Sequence, residues 1–189
     1  MRKLILEEWV SIDGYAEDRN GNLDFFPSTE QNKYADQHQL EFLSTVDLIV
    51  LGRKTYQLFE EFWPTAKTDT EIIADKLNSI PKIVFSDTID SAPWGTWPEA
   101  RVIKGNAAEA IKKLKKLDGK NMVLWGSLSL AQSLMKEGLI DEYHIQFCPT
   151  LVGGGRLLFP DADYYKKLKL VDTRTYDTGV VYLNYQPQS

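Results

Sequence analysis

Two short stretches carry residue types suited to holding phosphate. In Asn121 to Lys136, NMVLWGSLSLAQSLMK, an apolar run (Met122 to Trp125) meets Gly126 and then a segment with helical spacing at Leu128, Ala131, Leu134 and Met135. Gly126 allows a sharp turn or a close approach of backbone to ligand, and Ser127 or Ser129 is placed to cap the helix. A strand feeding a helix start sets free N–H groups and the positive end of the dipole at the carboxyl edge of a sheet, where phosphates bind. The pattern returns in Val46 to Glu60, VDLIVLGRKTYQLFE, where Leu48 to Leu51 lead through Gly52 into Arg53, Lys54 and Thr55. Two cations and a hydroxyl there suit charge-assisted hydrogen bonds to phosphate; alone, they would equally suit a solvated first turn. A third group is acidic. Asp13 ends the first apolar run between Ser11 and Tyr15, at the edge where ligands of α/β sheets collect. A carboxyl buried there against Trp9 would have a pKa raised toward neutrality and could exchange protons. Asp13-Gly14 is also an ordinary turn dipeptide, and Asp24 is the second candidate.

These groups need a frame, and the chain has the size for one. Its 189 residues, 43% of them apolar, fit one globular domain over residues 1–189, large enough for a full core. The net charge of −5 is spread along the chain, without the basic stripe of a nucleic-acid binder. Lys112, Lys113, Lys115 and Lys116 read as the solvated face of a helix. The single cysteine, Cys148, excludes an intrachain disulfide and reads as a small buried hydrophobe. The two histidines, His38 and His144, fall in no metal-ligand or hydrolase spacing, so no metal is expected. The start, MRKLILEEWV, is not patterned as a signal peptide, and nothing approaches the ~18 apolar residues of a membrane span. A cytoplasmic protein is expected.

The order of elements follows from periodicity. Lys3 to Ile12 reads as a strand, with Leu4, Ile5, Leu6, Trp9 and Val10 inside the sheet; Ser11 to Phe26 as loop or hairpin; Glu30 to Val46 as a helix with Tyr34, Leu40 and Leu43 inward. Strands follow at 47–51, 82–85 and 101–103, with a short helix at Glu71 to Asn78. The helix from Asn106 to Asp118-Gly119 has an N-cap and Glu109 three residues on. After the Gly126 unit come a strand over Asp141 to Cys148, a glycine turn over Val152 to Arg156, and paired strands over Lys167 to Tyr176 and Val180 to Tyr185. Strands alternating with helices and ending in a run of strands imply an α/β fold with a mostly parallel central sheet and an antiparallel C-terminal edge hairpin.

The ordered set SIDGYAEDRNG, LIVLGRKTYQLF, KIVFSDT and MVLWGSLSLAQSLMKEGLIDEYHIQFCPTLVGGGRLLF resembles the dihydrofolate-reductase-like family. It is most similar to stand-alone bacterial proteins related to the reductase domain of the bifunctional riboflavin-biosynthesis deaminase-reductase. The resemblance spans nearly the whole chain. It implies the dihydrofolate-reductase-like three-layer fold, NADPH as cofactor, hydride transfer and a homodimer. By the same resemblance Gly52, Arg53, Lys54 and Thr55 meet the cofactor phosphates, with Arg53 on the 2′-phosphate and Ser86 on the adenosine side. Gly126, Ser127 and Leu128 match the loop whose N–H groups hold the pyrophosphate, and Gly153 and Gly154 fall near the nicotinamide. Ser11, Tyr15 and Asp24 become substrate-side residues, and Asp13 the acid that supplies the proton after hydride transfer.

The chain also departs from its relatives. Asp87 follows Ser86 where a cation or hydroxyl is usual, the Asp-Asp-Pro stretch of the riboflavin enzymes is missing, and NLDFFP does not reproduce the proline loop of dihydrofolate reductases. The substrate implied is a small heterocycle or a ribosylamino-pyrimidine-like compound. Dihydrofolate or another pteridine, and nucleotide binding without catalysis, stay open as alternatives. Tyr176, Val180, Val181, Tyr182, Leu183 and Tyr185 exceed what one face of an edge hairpin needs, which points to an interface.

Overall fold

Apolar side chains in succession require a strand covered on both faces, and the apolar runs become neighbouring parallel strands for that reason. The computed structural model describes residues 1–27, 33–159 and 165–188. In it β1 (Leu4–Ser11), β3 (Val46–Gly52), β4 (Lys82–Phe85) and β6 (Asn121–Trp125) join β5 (Arg101–Ile103) and β7 (Glu142–Cys148) in the parallel order β5-β4-β3-β6-β1-β7. β10 (Val181–Pro187) and β9 (Leu168–Thr175) continue the sheet antiparallel, making eight strands. The α/β sheet with an antiparallel edge is therefore as the periodicity implied.

Helices cover both faces. On one, α4 (Ala107–Leu114) and α5 (Leu128–Lys136) bury Ile111, Leu114, Ala131 and Leu134 against Leu4, Leu6 and Leu124. On the other, α1 (Lys33–Ser44), α2 (Arg53–Phe62) and α3 (Ala74–Ser79) bury Leu43, Tyr56 and Leu77 against Ile5, Ile49 and Val123. Shortening Leu124 or Leu43 to alanine leaves a cavity and costs about 2–5 kcal/mol. The start of the helix anticipated over Glu30 to Val46 lies outside the described residues at 30–32, as does the side chain of Tyr34. The Asn106 cap forms, its Oδ1 accepting the Glu109 N–H at 3.1 Å.

Three expectations change in three dimensions. The turn-rich segment after β1 contains β2 (Tyr15–Asp18), which pairs antiparallel with β8 (Gly155–Leu157) in a ribbon separate from the main sheet. Distant partners built it, so no local pattern announced it. Lys115 is not solvated like Lys112: it is buried, donates to the Leu139 carbonyl at 3.1 Å and pairs with Asp141 at 2.6 Å. The terminal hairpin exposes the residues singled out for an interface only in part: Tyr176, Val181, Leu183 and Tyr185 are half-buried. Val180 and Tyr182 are buried, Tyr182 packing edge-on against His38 and His144, while the exposed apolar residues are Leu170 and Val171 of β9. No helix among the described residues is long and apolar enough to cross a membrane.

Candidate active site

Because β1, β3 and β6 run parallel, their carboxyl ends and the loops that follow open on one edge of the sheet. A cavity of about 840 Å³ lies there, within the size range of small-molecule sites. Gly52, Arg53, Lys54 and Thr55 line it from one side, Gly126, Ser127 and Leu128 from the other, so the two glycine motifs meet in space.

They are hydrogen-bonded to each other. Thr55 Oγ1 accepts from the Ser127 N–H at 2.7 Å and from Ser127 Oγ at 2.9 Å, and Ser127 Oγ accepts the Gly52 N–H at 2.5 Å. Ser127 is left-handed, with φ 56° and ψ 57°, an uncommon conformation for a residue with a Cβ. A Cβ on Gly126, itself at φ 54°, would stand 2.7 Å from Thr55 Oγ1. Glycine is thus required for the two turns to pack together, as well as for any close approach of a ligand. Ser127 does not cap α5, since its side chain serves this contact instead. The N–H groups of Gly126 and Ser127 are engaged within the protein, by Glu8 and Thr55. That leaves the N–H groups of the first turn of α5, from Leu128 onward, as donors at this end without a partner among the described residues. Arg156 adds a cation there, reaching Ser129 Oγ at 3.0 Å and Glu17 at 3.2 Å.

The other side of the cavity is acidic and aromatic. Trp9 and Phe26 line it with ring centroids 5.7 Å apart. Glu7 is buried, and its Oε2 accepts from Trp125 Nε1 at 2.5 Å and Gln39 Nε2 at 2.7 Å. Burial raises its pKa above the ordinary carboxyl value against the opposing pull of His144 and these donors. Glu8, half-buried at the same strand end, is pushed up to about 8 by burial, which outweighs hydrogen bonds from the Trp9 and Gly126 N–H groups. Asp36 of α1 is raised to about 6 by burial and by the nearby charge of Glu71.

Asp13 behaves in the opposite way, and the expectation of a raised pKa there is corrected. Its carboxylate accepts from Ser11 Oγ at 2.7 Å and from the Val152 and Gly153 N–H groups at 3.1 and 2.8 Å. The Ser11 hydroxyl first, with these N–H groups, pulls its pKa down to about 2, so Asp13 is ionised and has no proton to give at neutral pH. Asp13 pins the β8 loop to β1. Ser11 is buried within the same turn, accepting the Tyr15 N–H at 3.0 Å. Gly153 and Gly154 pack beside Arg19, which donates to the Gly153 carbonyl at 3.2 Å. Ser11, Asp13, Tyr15, Gly153 and Gly154 do not line the cavity; Asp24 lines a second, open hollow with Asp18 and Asp177. Ser86 follows β4, whose last residue Phe85 pairs with Gly52, and is also outside the cavity; Asp87 accepts the Gly105 N–H at 2.8 Å.

Residues 2–182 match the RibD C-terminal domain family. The chain belongs to that family. A relative, the protein YyaP of Bacillus subtilis (strain 168), is 35% identical over 97% of this chain and 94% of its own. The structure of a putative riboflavin biosynthesis protein from Shewanella sp. PV-4 superposes with a TM-score of 0.74 at 25% identity, covering 99% of both chains. Enterococcus faecalis dihydrofolate reductase, solved with NADP(H), shares the fold at a TM-score of 0.63 and 14% identity over 99% of this chain and 97% of its own. The dihydrofolate-reductase-like fold read from the sequence is thereby shown.

What the sequence reading missed in this RibD C-terminal domain is the Glu7-Glu8 pair. Two successive carboxylates in a strand buried on both faces must both lose water unless a ligand cavity receives them, and that conflict was present in LILEEWV. Cys148 is buried with its thiol pushed up to about 12 by desolvation, an inert side chain as expected.

Proposed function

We propose that this RibD C-terminal domain is an NADPH-dependent reductase acting by hydride transfer on a small heterocyclic substrate, similar to 5-amino-6-(5-phosphoribosylamino)uracil reductases. The observation that carries the reading is the interlocked pair of glycine turns at one cavity, with Arg53, Lys54 and Arg156 at its rim and a wall of Trp9, Glu7 and Glu8 opposite. Residues at the rim fit a phosphate-bearing dinucleotide. Arg53 and Lys54 meet its phosphates with the first turn of α2, and Leu128 and Ser129 do so with the first turn of α5. When bound, the cofactor supplies the hydride; the protein's part is to hold its phosphates, exclude water with the aromatic wall and manage the proton. Asp87, turned onto Gly105, is directed away from that task.

Titration of NADPH and NADH by tryptophan fluorescence tests this. Micromolar-scale NADPH binding is expected, and Arg53→Ala should weaken NADPH more than NADH, because a guanidinium can meet the extra 2′-phosphate with paired hydrogen bonds. Absence of NADPH binding by the wild type would overturn the reading. We propose further that the protein is cytoplasmic and a homodimer. β9 supports the dimer: it is an edge strand exposed along nearly its whole length, with Leu170 and Val171 45% and 48% exposed. Light scattering should show a dimer that Val171→Asp dissociates; a wild-type monomer at high concentration would refute it.

A further inference from the structure

We propose that Glu8 is a catalytic residue: its carboxyl faces the nicotinamide end of the bound cofactor and donates the proton that completes reduction of a C=N bond. The inference rests on the reductase reading above. Its warrant is position. The register sets Glu7 beside Trp125, so Glu8 stands at the level of Gly126, where the glycine turn begins, and accepts that residue's N–H. Glu8 therefore joins the phosphate-holding side of the cavity to its aromatic wall, and it lines the cavity with Trp9 and Phe26.

The groups around Glu8 leave it a proton at neutral pH. Glu7 precedes it on β1, pointing to the opposite face and held by Trp125 and Gln39. From β2, Glu17 adds a second negative charge, partly offset by its own partner Arg156 of β8. From β7 the register partner is the apolar Ile145. Among the described residues no cation pairs with Glu8, and burial holds its carboxyl protonated up to about pH 8. Asp13, ionised on its loop, does not serve in this role.

The step balances. The carbon of the C=N bond gains a hydrogen and two electrons from the dihydronicotinamide, and the π pair moves onto nitrogen. The Glu8 O–H bond breaks as the N–H bond forms, and the carboxylate regains its proton from solvent.

The test needs no substrate. NADP⁺ and NADPH share their phosphates and adenosine, and differ at the nicotinamide, cationic in one and neutral in the other. Calorimetric titration of each at pH 7, in phosphate and in Tris, counts the protons released on binding. A cationic ring beside Glu8 draws off its proton, so NADP⁺ should release roughly half a proton or more and NADPH far less. Glu8→Gln should abolish the difference while both cofactors still bind. Equal release for the two cofactors, no release with NADP⁺, or a difference that survives Glu8→Gln overturns the Glu8 role and leaves the reductase reading standing; failure of NADPH to bind overturns both. Should Glu8→Gln not fold, carbon-13 NMR of the wild-type glutamate carboxyls reads the same point: one carboxyl titrating near pH 8 must move to lower pH with NADP⁺ but not with NADPH.

Discussion

Asp13 and Glu8 lie on one short segment, one on the turn after β1 and one within the strand, yet the protein drives their carboxyls in opposite directions. Asp13 stands in a turn where a hydroxyl and two backbone N–H groups converge on its oxygens, so the charged form is favoured. Glu8 is partly withdrawn from water, and two N–H groups do not make up for the hydration it loses. The difference teaches that a carboxyl's place along the chain says little about its proton. The number of donors aimed at it, weighed against the water removed from it, decides.

The largest effect that would sharpen this contrast is on stability against pH. Glu8 has a folded pKa raised from the unfolded value of 4.5 to about 8, so the unfolded state loses its proton first and stability falls as pH rises through that window. Glu8→Gln removes this loss. In urea unfolding, the stability of the variant relative to wild type should grow from pH 5 to pH 8.5, by on the order of 3 kcal/mol once partial exposure is allowed for. A constant difference across that range would mean Glu8 is solvated and ionised.

Asp13→Asn should act with the opposite sign and a smaller size. The lowered pKa of Asp13 contributes stability that is present above its ordinary value of 3.8 and is lost as pH falls through about 2. The variant should therefore melt below wild type at pH 7, with the gap closing toward pH 2, and amides 152 and 153 should exchange faster with deuterium. An unchanged melting temperature at neutral pH would show that the loop does not depend on this carboxylate.

The smallest effect comes from Glu17→Gln. Its charge is the least of the influences on Glu8, and burial is the first. The midpoint of the pH–stability curve should move down by about half a unit or less, since a partly solvated like charge is a weak perturbation. A shift of more than a unit would make repulsion, rather than desolvation, the reason Glu8 keeps its proton.

The phosphate side of the site was more legible than the proton side. Each strand-Gly-helix unit is a local pattern: the apolar run, the glycine and the helical spacing all stand within about a dozen residues. Thr55 and Ser127, however, were read as separate phosphate contacts, whereas they bond to each other. β2 and β8 went unread because each is short and its pairing partner lies far along the chain. Lys115 was misassigned for a related reason, as the Leu139 carbonyl and Asp141 that bury it belong to another part of the sequence.

By itself the sequence determined the parallel sheet, the helices on its faces, the antiparallel edge and the two glycine turns at the sheet's carboxyl edge, because these follow from periodicity and from the few residues able to turn sharply. Its order of motifs also carried the family. Only the tertiary structure decided which acidic residue keeps a proton, which N–H groups remain free for a ligand and which apolar side chains of the terminal hairpin stay exposed. Those properties depend on how much water is excluded from a group and which donors reach it, and packing between distant segments sets both.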